Sequence, residues 1–345
     1  MNGELMAVIR SRLPKPVKRL LRLIATYPIY YLRLHQNYAY DRNRFGRYSS
    51  ADSIFNRQVH LQSWIAGDSH KIEKALSLRS PRQGFGVAVA SRLVENLERH
   101  FVDYGTDEIC VTAIDVLKEY VKFNTRYGFE NLELDKKLEG FCLLQKQDHN
   151  NVRQGGSIPV KKDDILRESS LDLEGFFESR HSIRHFSDKP VPREMVERVV
   201  RLALKTPSVC NRQSWKVHAF SEPHILKEVI ACQNGNAGFG EQISTVLVVT
   251  SNTETFFSVG ERNQCWIDGG MFSMSLVYAL HSLGLGSICL NWSVERAADR
   301  ELHRVASIPD PEAIIMLIGI GFLPETLRVA QSKRKSVDEV LIWGK

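Results

Sequence analysis

Phe176–Met195 reads FFESRHSIRHFSDKPVPREM. Arg180, Ser182 and Arg184 alternate, so an extended backbone puts two guanidiniums and a hydroxyl on one side. That face suits an anion: the Arg fork grips phosphate through paired N–H donors, and the hydroxyl can donate as well. An exposed basic strand or helix end would use the same residues, and this stretch alone leaves both readings open. A second basic cluster, SKRKS at Ser332–Ser336, follows the apolar run AIIMLIGIGF. Chain ends often meet in compact domains, so a phosphate held between Arg180, Ser182 and Arg334 is a coherent expectation.

Around this stretch the chain has two characters. Residues 1–165 read as helical. GVAVASRLVENLERHFVDYG and TDEICVTAIDVLKEYVKFNTRYG show apolar residues at helical spacing, with Gly105 and Gly128 as C-caps. Asn150–Asp164, rich in Gly, Pro and charge, is the expected boundary. Beyond it helices and strands alternate. VPREMVERVVRLALKT reads as a helix with Pro192 in its first turn. WKVHAF, STVLVVTS, GSICLN and AIIMLIGIGF read as strands, and EPHILKEVIAC and SVERAADRELHRVAS as helices. CWIDGGMFSMSLVYALHSLG is apolar nearly all round, as expected of a helix buried against another helix or a second subunit. Between a helix and the first strand lies TPSVCNRQSW, Thr206–Trp215, which holds more short polar groups than a turn needs.

Composition narrows the class. A 345-residue chain with 43% hydrophobic and 25% charged residues is an ordinary globular protein, long enough for about two domains. The net charge of +6 is local. Residues 1–50 hold ten Lys/Arg against two acids, a balance of +8, so the rest of the chain nets −2. A nucleic-acid reading of the whole chain is therefore excluded. The opening has no cleavage-like small-residue site, and its apolar part, Leu20–Leu32, is interrupted by Arg22 and Pro28 and is too short to span a bilayer. Residues 1–50 read either as a basic amphipathic helix lying on an anionic membrane surface or as a surface helix packed on its own body or on a partner. Six scattered cysteines without a CxxC pair predict free thiols in a reducing, cytoplasmic setting.

Several tempting motifs fail on order. Gly284 and Gly286 follow a helix and open a strand, the reverse of a dinucleotide fingerprint, and read as a C-cap and a corner. His70 and Glu73 share a helix face, but the pair is reversed and single, so no metal is expected. GxSxG, HExxH and P-loop sequences are absent. Cys210 has no identifiable activating His and reads as structural.

Taken together, SRHSIRHF, PSVCNRQSW, the helix IDGGMFSMSLVYALHSLGLGS and the basic segment before SVDEVLIW resemble, in order and spacing, the FMN-dependent nitroreductase superfamily over residues 171–345. The resemblance implies an α+β fold, a mainly antiparallel sheet wrapped by helices, in a homodimer with FMN at the interface. It implies that Arg180, Ser182 and Arg334 hold the FMN phosphate, with His181 beside them, and that Arg184 faces the polar edge of the isoalloxazine. Pro207, Ser208 and Asn211 would reach that flavin from the other subunit, supported by Gln213. Asn236 would lie in a second flavin loop, and the backbone at Leu290 and Asn291 near flavin N5. Phe239, Trp266 and Trp292 would shape the substrate pocket, or else pack as ordinary aromatics.

Hydride would come from NAD(P)H through the flavin to a small biosynthetic substrate, with no side chain required as acid or base. Two departures stand out. Ser214 replaces the family's proline, a change expected to loosen the corner, and Lys333 or Lys335 must stand in for a second basic residue beside Arg334. The helical first half, divided as 1–50 and 51–165, lies outside the family core and resembles extensions on members associated with cell-surface polysaccharide synthesis. Two alternatives remain: divergent flavin chemistry such as flavin fragmentation, dehalogenation or azoline oxidation, and a flavin-silent interaction protein docked at the membrane through residues 1–50.

Overall fold

The computed structural model describes residues 15–52, 57–129, 131–145 and 155–344. The 34-residue helix α1 (Lys15–Tyr48) leads into α2 (Gln58–Leu76), α3 (Val87–Tyr104), α4 (Glu108–Arg126) and α5 (Leu132–Gln145). Two short helices, α6 (Lys162–Glu168) and α7 (Leu173–Ser179), precede α8 (Arg193–Ala203). Then come β1 (Trp215–Phe220), α9 (Pro223–Ala231), β2 (Thr245–Asn252), α10 (Gln264–Ser282), β3 (Leu285–Asn291), α11 (Arg296–Val305) and β4 (Glu312–Phe322).

The four strands form one antiparallel sheet in the order β1-β2-β4-β3. Every residue of β2 is buried, because both faces of the sheet are covered. Val246 and Val248 join the layer with Val229, Ile230 and Leu302 from α9 and α11. Leu247 and Val249 point the other way, to Val199, Phe272 and Leu276 from α8 and α10. The indole of Trp215 stacks on Phe272 at 4.6 Å. The period-2 alternation of an apolar run thus supplies two cores from one strand. The C-terminal half is α+β, with the helices of residues 15–145 preceding the sheet.

The first half packs a core of its own, with Leu61, Ile65, Leu93, Leu97, Ile114 and Leu117 fully buried. Gly105 ends α3 with φ 78°, a conformation that favours glycine, as its position after the apolar stripe predicts. Asp107 caps α4 by accepting from the backbone N–H of Ile109 and Cys110. His100 Nε2 lies 3.1 Å from that carboxylate, and Cys110 Sγ is 3.3 Å from Nδ1 on the other side of the ring. Burial pushes the Cys110 thiol up to about 12, so the cluster is a lock between helices and not a nucleophile.

The described part of the N-terminal segment is a helix whose C-terminal end packs on the body of the chain, as one of the two sequence readings expected. The helix runs through Pro28 and on to Tyr48, well beyond the apolar stretch Leu20–Leu32. Tyr27–Leu34 is exposed throughout, while the last two turns bury Arg44 and Tyr48 against the rest of the chain. Tyr40, Arg44 and Tyr48 tie the C-terminal end of the helix to Asp299 and Asp310. Pro192 sits at the N-cap of α8 (φ −63°, ψ 146°), one residue before the first turn. No helix among the described residues is long and apolar enough to cross a membrane.

A buried carboxylate spans three strands of the sheet. Glu312, 1% exposed, accepts from Lys216 Nζ (2.8 Å) and Thr250 Oγ1 (2.6 Å) and lies 2.7 Å from His218 Nε2. Burial alone would raise its pKa; the bonds from His218, Lys216 and Thr250 outweigh it and hold the group at about 2. A depressed folded pKa means the stabilisation is complete above the unfolded value and is lost as pH falls towards about 2. The Glu312→Gln variant should therefore show a flatter acid limb in a stability-against-pH profile, losing up to about 3 kcal/mol of pH-dependent stability between pH ~5 and ~2. An unchanged acid limb would contradict this assignment.

Candidate functional site

The stretch Arg180–Arg184 is extended, as its alternation predicts. Ser182 forms a parallel bridge with Ser287 of β3, and the Ile183 N–H donates to the Ser287 carbonyl (2.9 Å). Ile183 points into the core at 7% exposure, which turns Arg180, Ser182 and Arg184 to the opposite side. The approach needs Gly286: a Cβ there would meet Ile183 Cγ2 at 3.0 Å. Among the described residues neither guanidinium has a carboxylate partner. Arg180 stands close enough to Cys289 and His281 to act on both electrostatically. Arg184 lies 6.0 Å over the ring of Phe239, which forms part of a cavity of about 950 Å3 with Leu226, Lys227, Ile230 and Asn236. His281, which accompanies Arg180, is pushed down by burial, and Ser179 Oγ lies 2.9 Å from its Nε2.

The corner Pro207–Gln213 is built by strain and anchors. Cys210 (φ 50°), Asn211 (φ 51°) and Gln213 (φ 49°) are all left-handed without being glycine. The Asn211 N–H donates to the Ser208 carbonyl and the Gln213 N–H to Ser208 Oγ, both at 3.0 Å, and Gln213 Nε2 donates to the Asn211 carbonyl (3.3 Å). Pro207, Asn211 and Gln213 are left exposed. Cys210 is half-buried and shapes the turn through its backbone.

Two anchoring residues escaped the sequence reading. Asp268, 2% exposed on α10, accepts from the Val209 N–H (3.2 Å). Arg212 turns inward: it donates to the Thr255 carbonyl (2.8 Å), pairs with Glu261 and lies 4.1 Å over Phe257. Its guanidinium therefore belongs to the scaffold of the corner and not to its open face. A buried, balanced Arg cannot be told from an exposed one by spacing. Phe257 also touches Trp64 of α2 (4.6 Å between rings), so the helical first half braces the same corner. Ser214 does not loosen the turn, because its buried hydroxyl is 2.8 Å from that of Ser251 on β2.

The other expected positions divide. Leu290 is buried at the end of β3 and Asn291 is exposed beside it, with its carbonyl accepting from Gln233 Nε2 (3.1 Å). Asn236 directs its amide N–H groups to the carbonyls of Ile230 (2.9 Å) and Gln233 (2.5 Å), closing the end of α9. Trp292 donates its indole N–H to Asp299 (2.8 Å) and packs on the core. Trp266, 43% exposed, lines a cavity of about 760 Å3 with Tyr38 and Phe45 of α1. His181 is exposed beside Arg180, and Arg334 donates to the Ser332 carbonyl (3.1 Å) in an exposed loop.

The two halves of the site lie at opposite ends of α10. The Arg180 segment neighbours His281, and the corner is tied to Asp268, thirteen residues earlier on the same helix. That is a separation of about 20 Å along one axis.

Residues 177–234, which contain both the basic segment and the corner, match the Nitroreductase family. A Thermus thermophilus NADH dehydrogenase is 23% identical over 205 residues, covering 50% of this chain and 96% of the relative. A Caenorhabditis elegans iodotyrosine dehalogenase 1 homolog is 23% identical over 253 residues, covering 64% of this chain and 77% of the relative. Among solved structures, an FMN-dependent nitroreductase from Clostridium difficile superposes with a TM-score of 0.43 at 21% identity, over 50% of this chain and 99% of its own. The stretch that is similar to the Nitroreductase family thus lies in the α+β C-terminal half of the chain, which an additional helical region precedes.

Proposed function

We propose that the protein is an FMN-dependent oxidoreductase that takes its electrons from NAD(P)H and reduces a small, biosynthetic substrate. The observation that carries this reading is the Arg180–Arg184 face: two guanidiniums without carboxylate partners among the described residues and a hydroxyl, fixed on one side by the Ser182–Ser287 bridge. This donor set fits the dianionic phosphate of FMN. Arg180 and Ser182, with His181 alongside and Arg334 from the C-terminal segment, would hold the phosphate. Arg184 would place positive charge at the polar edge of the ring, where reduction adds negative charge. When bound, FMN supplies the redox chemistry, accepting a hydride from the nicotinamide and passing electrons to the substrate. The side chains bind, orient and stabilise charge; none is required as a proton donor for hydride uptake.

The corner would serve the flavin of a second copy. Its distance from Arg180 along α10 supports that arrangement, as do the exposed apolar groups Trp266, Ile267 and Met271 on α10. In a homodimer Ser208 and Asn211 of one chain would then meet the Arg184 side of the other. The backbone at Leu290 and Asn291 and the Asn236 loop would border the ring, and the Phe239 cavity would admit the substrate. Trp266 and Trp292 would act through packing at the margins of that pocket.

Anaerobic titration with NADH and NADPH should bleach the flavin absorbance of the FMN-loaded protein. Inertness to both would remove the nicotinamide donor. A second reading, reductive dehalogenation, is favoured by the length of the match to the nematode iodotyrosine dehalogenase homolog. Iodide release from iodotyrosine by the chemically reduced protein would select it, and no release would dismiss it.

A further inference from the structure

One face of the last turns of α1, with Tyr40, Asn43, Arg44, Arg47 and Tyr48 at helical spacing, closes over Arg300 of α11 and leaves a cavity of about 290 Å3. Three guanidiniums converge there. Arg44 forms the inner wall and is balanced by Asp299, at 2.7 Å. Arg47 and Arg300 have no carboxylate partner among the described residues. Each is steadied by an aromatic ring: Arg300 stands 5.1 Å over Tyr40, and Arg47 stands 5.4 Å over Tyr48. The one carboxylate in the wall, Asp310, accepts from the Tyr48 hydroxyl (3.3 Å). Arg47 and Arg300 thus present cationic forks towards one small volume whose single lining carboxylate, Asp310, is engaged by Tyr48, and an anion placed between them would accept charge-assisted hydrogen bonds from both.

We infer that this cavity binds a phosphoryl group, carried on a small molecule or on a lipid headgroup, between Arg47 and Arg300. A phosphomonoester matches the two forks better than a carboxylate does, because it has three terminal oxygens and about two negative charges. Asn43 adds an amide at the rim, and the two tyrosine rings offer apolar walls to a substituent. The volume, near the lower end of ligand pockets, suits a phosphoryl group with a modest organic part. The site is separate from the Arg180 face and is built jointly by the N-terminal helix and α11. A ligand there would fasten the two together.

The test uses the full-length protein loaded with FMN and then freed of unbound FMN, so that a phosphate site at Arg180 is already filled and no free phosphomonoester competes. Inorganic phosphate and pyrophosphate are titrated against chloride at matched ionic strength, with thermal shift and calorimetry as readouts. The expected result is stabilisation by phosphate or pyrophosphate in the wild type, with at least a tenfold weaker Kd in the Arg47→Ala/Arg300→Ala double variant and unchanged FMN content. Arg47 and Arg300 are exposed, so folding should survive; single Arg300→Ala, with a smaller loss, guards against a misfolded double. Co-sedimentation with phosphatidylcholine vesicles containing phosphatidic acid separates the sources. Binding lost in the double variant assigns a lipid headgroup, and stabilisation by phosphate without vesicle binding assigns a soluble ligand. No stabilisation beyond chloride, or equal stabilisation of the double variant, overturns the inference.

Discussion

Arg180→Ala is expected to yield a folded protein that has lost most of its FMN, with affinity reduced about a hundredfold, equivalent to ~3 kcal/mol. The size follows from the chemistry of the contact. A guanidinium donating to a phosphate is a charge-assisted bond, among the stronger hydrogen bonds a protein makes. The expectation of intact folding follows from the surroundings. Arg180 ends α7, is half-buried and has no salt bridge among the described residues, so its removal leaves no buried group without a partner. Titration of the FMN-stripped variant, followed by quenching of flavin fluorescence, gives the affinity, and circular dichroism gives the fold. Arg180→Lys should recover only part of the loss, because an ammonium cannot reproduce the fork. An unchanged Kd in Arg180→Ala would remove this residue from the phosphate site.

Asp299→Ala should have the largest effect on stability, a loss of about 3–5 kcal/mol. Asp299 accepts from Trp292 Nε1 (2.8 Å), the Tyr40 hydroxyl (2.9 Å) and Arg44 (2.7 Å). His303 Nδ1 lies 3.0 Å from the Ile308 carbonyl and must donate to it, which leaves Nε2 as an acceptor for Arg44 at 3.1 Å. Every partner around the carboxylate is thus committed. Removing it leaves the buried Arg44 without its counter-charge and frees the indole N–H. Urea denaturation of Asp299→Ala and of an Arg44→Met/Asp299→Leu double variant separates the contributions. The double variant should be clearly more stable than the single, because replacing both partners leaves no unpaired charge. Equal losses in both would mean that packing, not charge, dominates.

The same pair carries a pH signature. Burial tends to raise the Asp299 pKa, but the charge and hydrogen bonding of Arg44 outweigh it, and the group is lowered. Its contribution is therefore full above the usual carboxylate range and falls away on acidification below it. Tyr40, pushed up to about 12 by burial and by Asp299, stays protonated across the working range and keeps donating.

What could be read from the sequence is local, and what could not is long-range. STVLVVTS and AIIMLIGIGF announce buried strands because their patterns need no partner to be recognised. The alternation at Arg180, Ser182 and Arg184 gives the shared face once the backbone is extended, and Gly284, just past the C-cap Leu283 of α10, takes the left-handed conformation (φ 74°) expected of a glycine that ends a helix. The network around Asp299 joins residues more than 250 positions apart, so no window of sequence contains it. Trp292 reads as a pocket aromatic until its indole is seen to donate to Asp299. Arg212 lies within the quoted corner, and nothing in its spacing tells that Glu261 and Phe257 enclose it. Asn236 carries the right chemistry for a flavin edge, and its amide is engaged by the carbonyls that end α9. In each case the residue type was informative and its direction was set by a specific partner, a few residues away for Trp292 and Asn236 and 49 residues away for Arg212.

The central claim is that this chain carries FMN. It is tested most directly by the visible absorption spectrum of the purified protein, followed by denaturation and identification of what is released. A yellow protein that releases FMN at close to one per subunit is the expected result, and a preparation that lost cofactor should regain that ratio on incubation with FMN. A colourless protein that takes up no added FMN would contradict the flavin reading of the Arg180 face.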